Sequence, residues 1–407
     1  MKETGIVAAE ILLPNVSDFS SFACVACDQF TGDEGYWKEL EEKVKGKPSA
    51  LNLVLPEIYL GDGQEARIEK INDNIERYLK EGCFRTLDKG FVLTVRETPF
   101  VKRRIGIIGA VDLEKYEYAK KSSALVRATE GTIEERIPPR LAIRKNAAAE
   151  FPHIMILFDD EKREIAEKLF EKRDSFEKLY DFELNMGGGR IAGWFVPEKE
   201  GVAEAFSKLS DEKRLIKKYG KADEFVFAVG DGNHSLATAK AHWNEVKKTL
   251  SEKEKRTHPA RFALAEFDNV YDEGIYFEPI YRFVTGVDRK KFISGISKVK
   301  GRFGVTDGKD LTVKGGKEKL PESVAAVDDF IKNYIDKNGG NVDYIHGEKN
   351  LFKLVRKDET SVGVTFDKLK KEELFKYVSE NGSLPRKTFS MGEGVEKRYY
   401  LEGKRIR

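Results

Sequence analysis

The stretch 225–243 constrains the fold most, because it predicts a strand, a glycine-bearing turn and a helix in direct succession. The apolar run 225–229 has the length of a buried strand. The turn 230–234 (Gly-Asp-Gly-Asn-His) then leaves unpaired backbone N–H groups at the positive end of a helix dipole. We expect a phosphate or carboxylate site there. Apolar residues follow at the spacings of one helix face: Leu236, Ala239, Trp243, Val246 and Leu250.

The composition limits the partners that this chain can have. Lys and Arg total 72 against 70 Asp and Glu, a net charge of +2, so we expect no nucleic-acid partner. We also expect no secretory signal and no membrane span, because no apolar run is long enough. Three cysteines in 407 residues are too few for a disulfide framework and suit a reducing compartment. We predict a cytoplasmic protein with a small-molecule substrate, and a homo-oligomer stays open.

Cys24 and Cys27 have the spacing of a redox or zinc motif. A structural zinc needs four ligands, and the rest of the chain offers Cys83 and five scattered histidines. Buried, inert thiols are the favoured interpretation, with metal or redox chemistry as the alternative.

The order of predicted elements indicates an α+β protein with a mixed, multi-layer sheet and crossover connections. We predict three regions: an N-terminal αβ region (1–112), a central αβ domain with the anion loop (113–287) and a smaller C-terminal αβ sub-domain (288–407). The last region is marked by Gly- and Lys-rich turns. Its tail, from Leu384 to Leu401, carries aromatic residues, and we expect it to pack back onto the body.

The segment 126–140 is polar and has no sustained hydrophobic period, which favours an ordered loop. Three arginines and three glutamates occur within it. They are either surface ion pairs of a solvated loop or charges that serve a site.

A set of distinctive short segments is spread over nearly the whole chain: Cys27-Asp-Gln-Phe30-Thr31 with Tyr36-Trp37, Thr129-Glu-Gly131, Arg136-Ile-Pro-Pro139-Arg140, Asp231-Gly-Asn-His234, His258-Pro-Ala-Arg261, Glu278-Pro-Ile280, Tyr344-Ile-His346-Gly347 and Leu384-Pro-Arg-Lys-Thr-Phe389-Ser-Met-Gly392. Together these segments resemble the domain-of-unknown-function-1015 family.

The loop Asp231-Gly-Asn-His234 is also similar to the phosphate-binding loop of the ParB/sulfiredoxin-like superfamily, which includes nucleotide-dependent kinases of free serine. This resemblance implies a strand-loop-helix nucleotide site that uses ATP or ADP with Mg²⁺. The chain has Asn233 where many relatives have histidine, and Ser235 where they have arginine. Another basic residue would therefore have to bind the phosphate.

Phosphoryl transfer needs donors on phosphate oxygens, usually a metal, and a group that orients the acceptor hydroxyl. We assign Asp231 as a Mg²⁺ ligand, His234 as a donor to a phosphoryl oxygen and Ser235 as a helix cap. Glu130 is predicted to take the acceptor proton, as a glutamate upstream of the loop does in the serine kinases. The predicted binding residues are these: Arg127, Thr129, Arg140, Gly230, Gly232, Asn233, Ser235, Arg386, Lys387 and Arg398.

Three functions compete at this point. The first is a nucleotide-dependent phosphotransferase acting on a small hydroxylated metabolite, with free L-serine as the most concrete acceptor. The second is a phosphatase or other hydrolase in which Asp231 and His234 perform acid–base chemistry. The third is a regulator that binds a nucleotide without turning it over.

Overall fold

The structure is a computed structural model that describes residues 5–61, 63–132 and 137–407. It divides into two compact units, Met1–Ile275 with Glu393–Arg407, and Tyr276–Gly392. Residues 133–136, which include Glu134, Glu135 and Arg136 of the polar segment, lie outside the described residues.

The strands follow in chain order: β1 (Ile6–Val7), β2 (Leu12–Pro14), β3 (Phe84–Thr86), β4 (Gly90–Arg96), β5 (Arg104–Asp112), β6 (Tyr116–Glu117), β7 (Val126–Ala128), β8 (Ala149–Glu150), β9 (Met155–Phe158), β10 (Glu177–Leu184), β11 (Gly189–Pro197), β12 (Phe227–Asp231), β13 (Phe262–Asn269), β14 (Phe277–Thr285), β15 (Phe303–Thr306), β16 (Leu311–Lys314), β17 (Asn341–His346), β18 (Val362–Thr365), β19 (Phe389–Met391) and β20 (Lys404–Arg405).

The helices are distributed over both units: α1 (Phe19–Phe22), α2 (Glu34–Val44), α3 (Gln64–Lys80), α4 (Ile137–Asn146), α5 (Ala166–Glu171), α6 (Val202–Ser207), α7 (Glu212–Tyr219), α8 (Asn233–Val246), α9 (Glu252–Thr257), α10 (Arg289–Ile296), α11 (Leu320–Asn338), α12 (Glu348–Lys357) and α13 (Lys371–Asn381). In the ranges that the structure describes, no helix combines the length and the apolar character that a membrane span requires.

The first unit is built on a large mixed sheet with the described strand order β10-β11-β4-β5-β13-β9-β12-β7-β6, and β1 pairs with β5. Its central strands are apolar on both faces. On β5, Ile108 and Ala110 enter one core, whereas Ile105 and Ile107 enter the other. This alternation follows the two-residue period of a strand, and helices and loops cover both faces of the sheet. The predicted α+β architecture with a mixed, multi-layer sheet is confirmed.

The second unit has its own antiparallel sheet, with the order β16-β15-β18-β14-β17 and with β19 paired to the start of β14. Val284, Phe292 and Val327 belong to a core that β14, α10 and α11 share. This unit is the smaller αβ region that the glycine-rich turns predict. It begins at Tyr276 and ends at Gly392, whereas the predicted boundary was 288.

The predicted boundary at 112 falls inside the first unit. β5, which ends at Asp112, pairs with β13 from Phe262 to Asp268, so both predicted regions contribute strands to one sheet. Residues 393–407 also belong to this unit.

Buried ion pairs hold this C-terminal segment in the first unit. The guanidinium of Arg398 lies 3.3 Å from a carboxylate oxygen of Glu266 and 3.1 Å from one of Glu402, and all three side chains are inaccessible to solvent or nearly so. It also donates a hydrogen bond to the carbonyl of Pro152. Burial raises the pKa of the Glu402 carboxyl, while the Arg398 charge opposes that rise. A charge buried to this degree depends on its partners.

Protonation of His242 is expected to destabilise the fold in mild acid. Burial, and then the charge of Arg144, lowers the pKa of this α8 histidine from 6.5 to about 4. Between these values the unfolded chain binds more protons, so the free energy of unfolding falls as pH falls. We expect wild type to lose about 1 kcal/mol more than His242→Gln between pH 7 and pH 5, after allowing for partial solvent screening. Urea denaturation of both proteins at both pH values measures the difference, and equal losses would contradict it.

Candidate functional site

Several residues of the predicted site follow the ends of two parallel strands. β12 pairs with β7 in parallel register, with Val229 opposite Ala128. Two residues further on, the chain reaches Asp231 on one side and Glu130 on the other. Because the carboxyl ends of parallel neighbours meet at one edge of a sheet, this register brings Asp231 and Glu130 to the same edge. The hydroxyl of Thr129 ties the segments together by donating to the carbonyl of Val229 at 2.5 Å.

The turn after β12 depends on a glycine. A register shift against β9 falls between Val229 and Asp231, and Gly232 then adopts a left-handed conformation with φ of 79°. A Cβ at Gly232 would lie 3.0 Å from the Cα of Ile154, so a larger residue would be strained as well as crowded. The backbone N–H of Gly232 donates to Oδ1 of Asp231 at 3.0 Å, which orients this carboxylate at the start of the helix.

Helix α8 presents an uncapped N-terminus at this edge. Its N-cap residue is Gly232, no side chain caps the helix, and its first turn has no acidic residue. Asn233, His234 and Ser235 occupy the first three helical positions. The structure therefore corrects the role predicted for Ser235, which lies inside the first turn instead of capping it. The amides of this turn and the helix dipole remain suited to an anion.

Asn233 adds a buried polar atom to this turn. The residue is 6% exposed, and its side-chain Oδ1 is buried without a hydrogen-bond partner. A buried polar atom of this kind is costly unless a ligand or water completes its hydrogen bonding. A flip of the amide would present a donor at the same position, so the side chain can serve either an anion or a hydroxyl.

Lys397 reaches the same edge from the C-terminal segment, and the sequence-based prediction missed it. Its Nζ lies 3.5 Å from Oδ2 of Asp231, and its side chain is 6% exposed against 27% for the aspartate. The residue predicted from this segment was the neighbouring Arg398. The strand-like sequence of this segment could have indicated Lys397. Consecutive side chains of an extended chain point to opposite sides, so only one of the two neighbours can point toward Asp231.

Tyr400 and His153 form a second pair that the sequence did not indicate. The phenol oxygen of Tyr400 lies 2.6 Å from Nδ1 of His153, and the direction of the proton depends on the tautomer. Burial raises the pKa of Tyr400, and electrostatic interactions with Cys24, Cys27, Asp231 and Glu57, in that order, raise it further. The tyrosine is therefore a neutral hydrogen-bonding group at physiological pH.

The predicted basic residues are engaged in different ways. Arg127 donates with two nitrogens to Asp223 and stacks at 4.8 Å on the ring of Phe225. Arg398 points into the buried ion pairs described above. Both arrangements favour a structural role over ligand binding. Arg140 pairs with the partly exposed Glu57. Its role in binding stays a prediction.

Arg386 and Lys387 lie in the second unit. Their carbonyl oxygens accept hydrogen bonds from Arg282, whose guanidinium also pairs with Asp328 at 2.7 Å. Lys387 has a left-handed backbone with φ of 55°. The predicted contribution of these two side chains to the site stays a prediction.

Asp231 fits the Mg²⁺ that the superfamily resemblance implies. Among the described residues, no group of three or more His, Cys, Asp or Glu side chains could hold a metal ion by itself. Mg²⁺ is commonly held by one or two carboxylates together with substrate phosphates, and Asp231 supplies one such oxygen donor.

Cys24 and Cys27 are buried free thiols, and burial raises the pKa of Cys24 to about 12, which disfavours its thiolate.

The chain belongs to a family described as a protein of unknown function (DUF1015), whose sequence profile matches residues 12–394. No curated protein matches the chain. A free serine kinase in complex with AMP is similar at 9% identity and a TM-score of 0.40, over 72% of this chain and 90% of that chain. A conserved hypothetical protein from Pyrococcus furiosus is similar at 11% identity and a TM-score of 0.37, over 72% and 93%. C-terminally truncated SbnI from Staphylococcus aureus follows at 10% identity and a TM-score of 0.36, over 70% and 82%.

Proposed function

We propose that the protein is a nucleotide-dependent phosphotransferase that acts on a small hydroxylated metabolite, with free L-serine as the most concrete acceptor. The observation that carries this proposal is the parallel register of β7 and β12, which directs Glu130 and Asp231 to one sheet edge beside the uncapped start of α8. Phosphoryl transfer needs a site that binds the phosphates, a carboxylate that binds the metal and a second carboxylate that accepts the proton of the acceptor hydroxyl. The end of β7, the end of β12 and the first turn of α8 supply a candidate for each of these parts.

Each part has a defined task in the reaction. The amides of Asn233, His234 and Ser235 bind phosphate oxygens. The imidazole of His234 donates a hydrogen bond to the phosphoryl group that is being transferred. Asp231 would hold Mg²⁺, which would neutralise charge on the phosphates. Glu130 accepts the proton of the acceptor hydroxyl while the terminal phosphoryl group leaves ATP or ADP for the acceptor oxygen. Arg140 remains the proposed partner of a carboxylate or phosphate group.

A direct assay tests this proposal. Purified protein is incubated with Mg²⁺, L-serine and either ATP or ADP, and phosphoserine and the product nucleotide are followed by ³¹P NMR. The proposal predicts equal amounts of both products, with none when serine or nucleotide is omitted. No turnover and no binding of either nucleotide would refute it.

Two further incubations separate the competing functions. Release of inorganic phosphate from phosphoserine without nucleotide would identify a phosphatase that uses the same carboxylates. Tight nucleotide binding without turnover, for serine and for a panel of other small hydroxylated acceptors, would identify a regulator.

A further inference from the structure

Lys397 is a buried cation at the proposed phosphate site. Its Nζ lies 3.5 Å from Asp231 Oδ2, and only 6% of its side chain is exposed. Removing an ammonium group from water is unfavourable unless nearby groups compensate its charge. Asp231 also accepts a hydrogen bond from the N–H of Gly232, the N-cap residue of α8, on its other oxygen, so this lysine and the N-cap backbone contact the same carboxylate.

The backbone that carries Lys397 is held firmly from the opposite side. Arg96 donates to the carbonyl of Lys397 at 2.5 Å and to that of Glu396 at 3.2 Å. Arg104 donates to the carbonyl of Glu396 at 2.8 Å. The following residue, Arg398, directs its side chain into the buried ion pairs. The segment is therefore anchored on both sides of Lys397, and this anchoring positions the ammonium group at Asp231.

We infer that Lys397 is the phosphate-binding cation of this site and takes the place of the arginine that the loop lacks at position 235. This inference rests on the proposed function. The first three residues of α8 are Asn, His and Ser, so the start of the helix brings no lysine or arginine to the anion. An ammonium group has three donors, which allows it to contact Asp231 and phosphate oxygens at the same time.

Lys404 provides a matched control in the same C-terminal segment. It is as deeply buried, at 6% exposure, but its Nζ donates to the carbonyls of Pro259 at 2.8 Å and Arg405 at 2.7 Å. Burial lowers the pKa of Lys404 to about 8. Both residues are buried lysines, but only Lys397 has a carboxylate of the proposed site as an ion-pair partner.

The test is isothermal titration calorimetry with ADP and with adenosine, on wild type, Lys397→Met, Lys397→Arg and Lys404→Met. Adenosine lacks the phosphates, so the ratio of the two affinities isolates the phosphate contribution. We expect Lys397→Met to weaken ADP binding about tenfold or more while adenosine binding stays within about twofold, the size of loss expected for one charged hydrogen bond. Lys397→Arg should retain part of the ADP affinity, and Lys404→Met should keep the wild-type ratio.

The outcomes separate this inference from the proposed function. If wild type and Lys397→Met have the same ratio of ADP to adenosine affinity, the inference is wrong and the proposed function stands. If wild type binds no nucleotide, both are wrong. If Lys397→Met does not fold, Lys397→Arg and the double variant Asp231→Asn/Lys397→Met, which removes the whole ion pair, are measured. The double variant is compared with Asp231→Asn alone, because Asp231 is itself the proposed Mg²⁺ ligand. ADP affinity unchanged between these two variants would also overturn the inference.

Discussion

Replacing Glu130 by glutamine is expected to lower kcat about a thousandfold and to leave nucleotide affinity within about threefold. A positioned general base contributes roughly 10²- to 10⁴-fold to a rate, and glutamine keeps the shape of the side chain while it loses the ability to accept the proton. Steady-state kinetics with Mg²⁺, nucleotide and serine measure kcat, and calorimetry measures nucleotide binding.

Glu117 offers a control for this substitution. It lies on β6, the strand on the other side of β7, and its exposed carboxylate pairs with Lys240 at 3.2 Å. Glu117→Gln should keep kcat within about twofold, since the Glu117 carboxylate is half exposed and has no assigned role in the reaction. Full activity of Glu130→Gln would contradict the assigned role, and so would a parallel loss of nucleotide binding, which would indicate a structural defect.

Arg398→Met is expected to lower the free energy of unfolding by about 3–5 kcal/mol. The substitution leaves the carboxylates of Glu266 and Glu402 buried without their shared cation. Urea denaturation measures the loss. Adding Glu402→Gln to Arg398→Met should restore part of the stability, because it removes one of the uncompensated charges.

The exposed pair of Arg407 and Glu76 serves as the comparison. Their charged atoms lie 2.8 Å apart, but both side chains are more than half exposed. Arg407→Met should change the free energy of unfolding by less than about 0.5 kcal/mol. Equal effects of Arg398→Met and Arg407→Met would show that the buried ion pairs do not anchor the C-terminal segment.

The strand-turn-helix stretch could be predicted because its signals are local. The apolar run 225–229 overlaps β12 (Phe227–Asp231), and the helical spacing coincides with α8 (Asn233–Val246). The differences lie at the ends. The N–H of Val226 bonds to the carbonyl of Leu125 before the strand ladder begins, and beyond Val246 the chain continues as a short 3₁₀ turn, so Leu250 falls outside the helix. Hydrophobic pattern alone does not define such ends.

The basic residues of the site were harder to predict because their roles depend on distant partners. Arg127 pairs with Asp223, which lies 96 positions away. Lys397 and Arg398 are neighbours, and only the register of an extended segment decides which side chain points toward Asp231 and which toward Glu266. Both residues are basic and adjacent in the sequence, so neither charge nor position indicated which of them lies at the site. Tertiary packing made the distinction.

A crystal structure of the complex with ADP and Mg²⁺ tests the central claim most directly. The account predicts phosphate oxygens within hydrogen-bond distance of the amides of Asn233, His234 and Ser235, with Mg²⁺ on the carboxylate of Asp231 and Lys397 Nζ on a phosphate. ADP bound elsewhere on the protein, with the start of α8 empty, would contradict it.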